Sequence, residues 1–123
     1  MTKTISIENK QRRIDGPLRI KYCDTFLTQL RGFTLRPSLG REDGLLLVGT
    51  RDSRLESSIH MLFVSFDLTV IWINSQMQVV DKVLAKSWRP AYFSKQPAKY
   101  VLEVHPARWE EFQIGDTVMF QDA

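Results

Sequence analysis

Apolar and polar positions alternate along most of this chain, in short runs broken by glycine, proline and asparagine. Thr2 to Ile7 sets Ile5 and Ile7 among polar neighbours, which predicts a strand, and the polar stretch from Asn9 to Gly16 predicts a turn. Pro17 opens a second strand, with Leu18, Ile20 and Tyr22 on one face and Arg19 and Lys21 on the other. That clean alternation predicts a sheet with one solvated face. A short helix is expected next. Asp24 or Thr25 can cap it, Phe26, Leu27 and Leu30 form its apolar side, and Gly32 stops it. Pro37 and Gly40 mark a turn, and Gly44 to Val48 reads as a buried strand. The Arg-rich segment from Gly49 to Ser57 lacks apolar periodicity and is expected to be a mobile loop.

The densest apolar stretch is Ser58 to Asn74, interrupted by His60, Ser65, Asp67 and Thr69. Such a pattern suits either a buried strand pair or the wall of a ligand site. It falls short of the ~20 apolar residues of a membrane-spanning helix and carries Asp67 near its middle, so no membrane partner is expected. Beyond a turn at Asn74 to Gln76, a strand runs from Met77 to about Leu84. Trp88, Pro90, Tyr92, Phe93 and Pro97 make the following segment too aromatic for a linker; it is expected over a barrel mouth or a sheet edge. Tyr100 to Val104 reads as another strand. Pro106 suits the first position of a short helix, with Trp109 and Phe112 on its apolar side and Gly115 at its end. Val118 and Phe120 complete a closing strand. The elements together predict a mainly β, compact single domain over residues 1–123, a sandwich or barrel with two short helices.

Composition narrows the functional classes. With 123 residues the chain can bury about two thirds of its unfolded surface. Its opening residues are short and polar, without the apolar core of a secretory signal, so a cytoplasmic location is expected. Cys23 is the single cysteine, which excludes an internal disulfide and fits a reducing compartment. One Cys and two widely separated His offer no zinc-type spacing, so no metal or other cofactor is expected. Beside Tyr22 and Phe26, the thiol reads as a small core residue rather than a nucleophile. The net charge of +3 divides into +5 over residues 1–54 and −2 over residues 55–123. The arginines of the basic half are scattered, and nucleic-acid binding ranks last among the functions weighed.

An ordered series of motifs resembles a bacterial and archaeal family known as domain of unknown function 192. Residues Cys23 to Arg36 look like its opening motif, an Ala-x-Thr start followed by Arg-x-Arg-Gly-Leu-Met-x-Arg. Gly44-Leu45-Leu46-Leu47 is similar to its Gly-Met-Leu-Phe strand. The stretch from Ile59 to Trp72 resembles a branch reading His-Thr-Phe-x-Met-Arg-Phe-Pro-Ile-Asp-Val-Val-Phe, and Trp88-Arg89 resembles that branch's Pro-Trp-Arg. Ala98 to Glu103 and Gly115 to Val118 complete the order, so the likeness covers roughly residues 17–121. The resemblance implies a compact sandwich-like or jelly-roll-like β fold and no established activity. The family's Pro falls on Asp67, its Asp on Thr69, its first Arg on Gln29 and its Met-Arg pair on Val64-Ser65.

The candidate chemistry is sparse. His60, set among apolar residues, is the one side chain of that stretch that titrates near neutrality, and Asp67 with Thr69 could orient it for general-base work. No nucleophile elbow or phosphate-cradling glycine loop accompanies them. Arg31, Arg36 and Arg89 could hold a carboxylate or phosphate through their guanidinium forks, Arg89 beside Trp88. Glu103 and Asp116 read as structural acids paired with arginines, Arg36 being the expected partner of Glu103. His105, next to Pro106, suits a local capping role. The reading that follows is a non-enzymatic binding domain with a small cleft near His60, Trp88 and Arg89, taking a small anionic ligand or a peptide. A hydrolase-like site built on His60 and Asp67 is the alternative, and a nucleic-acid module on the basic half a second one.

Overall fold

A computed structural model describes residues 3–24 and 38–123. The helix expected from Asp24 or Thr25 to Gly32, with Arg31 and Arg36, lies outside the described residues. Among the described residues seven strands form one mixed sheet: β1 (Thr4–Asn9), β2 (Arg19–Cys23), β3 (Asp43–Ser53), β4 (Leu68–Ile73), β5 (Val79–Ala85), β6 (Ala98–Val104) and β7 (Val118–Asp122). Their order across the sheet is β5-β4-β6-β3-β2-β1-β7. Every neighbour is antiparallel except β2 and β3, which run parallel with Ile20 opposite Gly44. A side chain at Gly44 would press on Ile20 and Leu18 at 3.2 and 3.3 Å, which is why β2 and β3 can approach closely there.

The sheet is open rather than a closed barrel. Its edge strands β5 and β7 touch at one corner, where Val79 N donates to Asp116 O (2.8 Å) and Val118 N donates to Met77 O (2.9 Å). The expected barrel is thereby corrected to a curled sheet whose edges meet at one end.

Period-two alternation distributes the core over both faces. Ile20, Leu46, Ile71, Ile73, Leu102 and Val104 fill the inner, concave face, with Phe112 packed on them. Leu45, Val70, Trp72 and Val101 point outward and are covered by Ile59, Met61 and Val64 from the chain before β4. Of the stretch from Ser58 to Asn74, then, only Leu68 to Ile73 is strand, and the preceding part is a cover laid on the sheet. Trp72 Nε1 holds that cover by donating to Ser57 O (2.8 Å).

Two further expectations are corrected. Gly49 to Ser53 is not loop but the exposed end of β3, carried by pairing with β6 that resumes at Ser53 opposite Ala98 after a register shift. The last helix is a 3-10 turn, Pro106–Glu111, with Phe112 already extended beyond it. His105 caps it, its Nδ1 accepting from Ala107 N at 3.0 Å. Arg108 pins it to the fold by donating to Arg41 O, Asp15 O, Pro17 O and Glu111 Oε1.

Candidate functional site

The outer cover is built from two segments that the sequence keeps apart. Ile59 and Tyr92 exchange backbone hydrogen bonds at 3.0 and 2.9 Å, so residues 59–63 and 88–92 run antiparallel as a short ribbon. Met61 is its hinge pin: its N donates to Arg89 O and its O accepts from Trp88 N, both at 2.9 Å, while its side chain is fully buried. Burying Ile59 and Met61 turns their neighbours His60 and Leu62 to solvent.

The ribbon ends in two tight turns that present aromatic rings. Phe63 and Trp88 stack edge to face at 5.2 Å between centroids. They are 54% and 53% exposed, so more than half of each residue faces water. Both adopt left-handed backbone, with φ of 62° and 66°. Such a conformation costs a bulky residue roughly 1–3 kcal/mol and persists only where the surroundings impose it. Here the imposing contacts are the bonds of Met61, the Val64 N to Met61 O turn (3.1 Å), and Asp67, whose Oδ1 accepts from Ser87 N at 2.9 Å. Leu62, 41% exposed, extends the apolar surface. His60 and Arg89, both exposed, make no side-chain hydrogen bond or ion pair among the described residues, whereas Lys86 lies 3.5 Å from Asp67.

The structure thus brings the His60 segment to Trp88 and Arg89, as an exposed corner. It does not join His60 to Asp67: the oxygens of Asp67 serve Ser87 N and Lys86 Nζ. Thr69 points to the inner face, fully buried, with Oγ1 donating to Pro106 O at 3.4 Å. Asp67 and Thr69 therefore serve different neighbours, and Asp67 is no replacement for an acid at position 69.

Glu103 occupies the outer face of the interior strand β6, 6% exposed, with Leu45 and Val70 opposite it on the two neighbouring strands. Burial pushes its carboxyl up to about 7. Among the described residues no side chain pairs with it; the expected partner, Arg36, lies outside them. Cys23 sits on the same face, and burial first, then the charge of Glu103, pushes its thiol up. A raised thiol suits a packing role rather than a nucleophile. Asp116 is held by Asn9 Nδ2 (2.8 Å), Arg12 Nε (2.8 Å) and Gln113 N (2.9 Å) at the corner where β5 meets β7. On the basic half, Arg19 pairs with Glu42 at 2.8 Å and Arg41 approaches Asp15 and Glu111 at 3.9 and 4.0 Å, while Lys21 makes no ion pair among the described residues. Among the described residues no group of three or more His, Cys, Asp and Glu could hold a metal ion.

Phe63 carried no signal in the sequence beyond its place in an apolar run; only a break in strand alternation at Leu62-Phe63 hinted at a turn. Among the described residues no helix is long and apolar enough to cross a membrane. The model of the DUF192 family, described as uncharacterised, matches residues 6–120. A UPF0127 protein of Thermococcus kodakarensis is 37% identical over 102 residues, 81% of this chain and 63% of the relative. One of Thermococcus gammatolerans is 38% identical over 101 residues, 80% of this chain and 64% of the relative. The chain thus spans just under two thirds of the length of these relatives. Among solved structures, a protein of unknown function from Novosphingobium aromaticivorans shares the fold with a TM-score of 0.78 at 19% identity, over 96% of this chain and 84% of that one. A candidate transcription regulator from Sinorhizobium meliloti shares it with a TM-score of 0.82 at 15% identity, over 98% and 94% of the two chains. With its motifs in family order and the family model matched from strand β1 to strand β7, the chain belongs to the DUF192 family.

Proposed function

We propose that this domain works by binding rather than catalysis, and that its contact surface is the corner formed by Phe63 and Trp88. The observation that carries this reading is the exposed, edge-to-face pair of rings, each held in left-handed backbone. Strain of this kind has no benefit for packing when the side chain ends in water. Aromatic anchors beside an arginine are the composition from which binding hot spots are made. Arg89, without an ionic partner among the described residues, gives the corner positive charge and His60 adds an imidazole for hydrogen bonding, so the partner combines an apolar group with negative charge, as in a small anionic ligand or an acidic peptide.

Thermal-shift screening of anionic metabolites and acidic peptides tests this. A ligand present at 100 times its Kd stabilises the fold by about 2.7 kcal/mol. That stabilisation is expected to vanish in Trp88→Ala and to weaken in His60→Ala and Arg89→Ala. Ligands whose effect survives all three substitutions place the contact surface elsewhere and overturn the reading.

A further inference from the structure

We infer that the corner carrying Phe63 and Trp88 docks on an anionic phospholipid surface, its rings entering the headgroup layer. The inference rests on the corner being the contact surface, as proposed above, and names what it meets. Three observations favour a lipid interface over a peptide. The rings sit on turns and are exposed, Phe63 by 54% and Trp88 by 53%, whereas a bound peptide is held in a groove. The backbone between the two segments is already paired, Ile59 with Tyr92 and Met61 with Trp88 and Arg89, so an added strand could pair only along the ribbon's outer edges. The third is the pairing of apolar tips with cations. Leu62, Phe63 and Trp88 form the tip; Lys86 and Arg89 flank it in the chain, Lys86 bonded to Asp67 and Arg89 without an ionic partner among the described residues.

The chemistry of such a tip matches the boundary between headgroup and acyl chain. Indole and phenyl rings prefer that layer, where the ring is dry and the N–H stays wet. The Arg89 guanidinium, next to Trp88 in the chain, meets the negative surface potential and adds about fivefold in binding, while Lys86 shares its charge with Asp67. Sequence hydropathy is blind to this arrangement, because it seeks a continuous apolar run and the tip is assembled from two turns. A few inserted side chains give weak, reversible attachment, so the docking is a contact and not an anchor.

The test uses the whole chain with two kinds of vesicle, phosphatidylcholine alone and phosphatidylcholine mixed equally with phosphatidylglycerol. Cosedimentation is expected with the mixed vesicles only, accompanied by a blue shift of tryptophan emission. Trp88→Ala is expected to lower the bound fraction about tenfold and remove the blue shift. Arg89→Ala is expected to lower binding about fivefold, as is added salt. Phe63→Gly, which relieves the left-handed backbone, checks that loss of binding does not reflect misfolding; it should bind weakly while unfolding normally. Unchanged binding in the aromatic variants would mean attraction by net charge alone and overturns the inference. Absence of vesicle binding, with an acidic peptide captured through Trp88 and Arg89, also overturns it and leaves the binding function standing.

Discussion

At the scale of single residues, Glu103 and Asp116 tie stability to pH in opposite senses. Glu103 is moved by burial from 4.5 to about 7, so between those values the folded chain holds a proton that the unfolded chain has lost. Its contribution is complete below about pH 4.5 and is lost as pH rises toward 7, a change of roughly 3 kcal/mol. Glu103→Gln keeps the shape and cannot ionise. Its unfolding free energy, followed by urea titration from about pH 4.5 to 8, is expected to lack that decline. An identical decline in the variant would assign the slope to other groups. For Asp116 burial works to raise the carboxyl, but hydrogen bonds from Asn9, Arg12 and Gln113 N outweigh it and hold the group below 3.8. Its stabilisation is present at neutral pH and is lost as pH falls through that lowered value. Trp88 is a different residue-scale case. Because its φ of 66° suits glycine, Trp88→Gly is expected to be more stable than Trp88→Ala by about 1 kcal/mol, as thermal unfolding of the two would show.

At the scale of elements, the 3-10 turn Pro106–Glu111 has too little backbone bonding to hold itself. Its stability comes from Arg108, 1% exposed, whose guanidinium saturates three carbonyls from two other segments and the carboxylate of Glu111. Arg108→Met fills the space but leaves these acceptors without donors, and is expected to cost about 3–5 kcal/mol. Chemical denaturation measures the loss; a cost below about 1 kcal/mol would show that water replaces the guanidinium. Lys82 supplements the arginine from β5, its Nζ donating to Trp109 O and Phe112 O at 2.9 Å and resting 3.9 Å over the Trp109 ring. The turn was legible in the sequence as a Pro-started helix with an aromatic face, but its fastening was not. Arg108 reads as an ordinary surface arginine until the chain around Asp15 and Pro17 is brought beneath it.

At the scale of the whole molecule, strands were read well wherever burial writes alternation into the chain. Leu18-Arg19-Ile20-Lys21-Tyr22 is such a place, whereas Tyr100 to Val104, buried on both faces over its last four residues, was legible as a short, mostly apolar run. The second half of β3 escaped because its residues face water and are held by β6 backbone, which leaves no mark on hydropathy. Apolar character was also a poor guide to depth. Ile59, Met61 and Val64 are buried while Leu62 and Phe63, between them, are not, because a turn breaks the period. The candidate site was half legible: Trp88 and Arg89 stood out as an aromatic beside a cation, and His60 as a lone imidazole. Their meeting depends on Met61, a backbone brace that no side-chain pattern encodes.

The place of β1 in the sheet has a consequence for how the chain is made. It lies between β2 and β7, with Ile5 opposite Asp122 and Asn9 opposite Val118, so one of its two edges is completed by the strand synthesised last of the seven. While the ribosome is still working, that edge shows a row of unpaired amides beside Ile5 and Ile7, and loop closure over so long a span is slow. A nascent chain that stalls before β7 would therefore present a sticky strand to its neighbours on the same message, and chaperone capture is most needed in that interval.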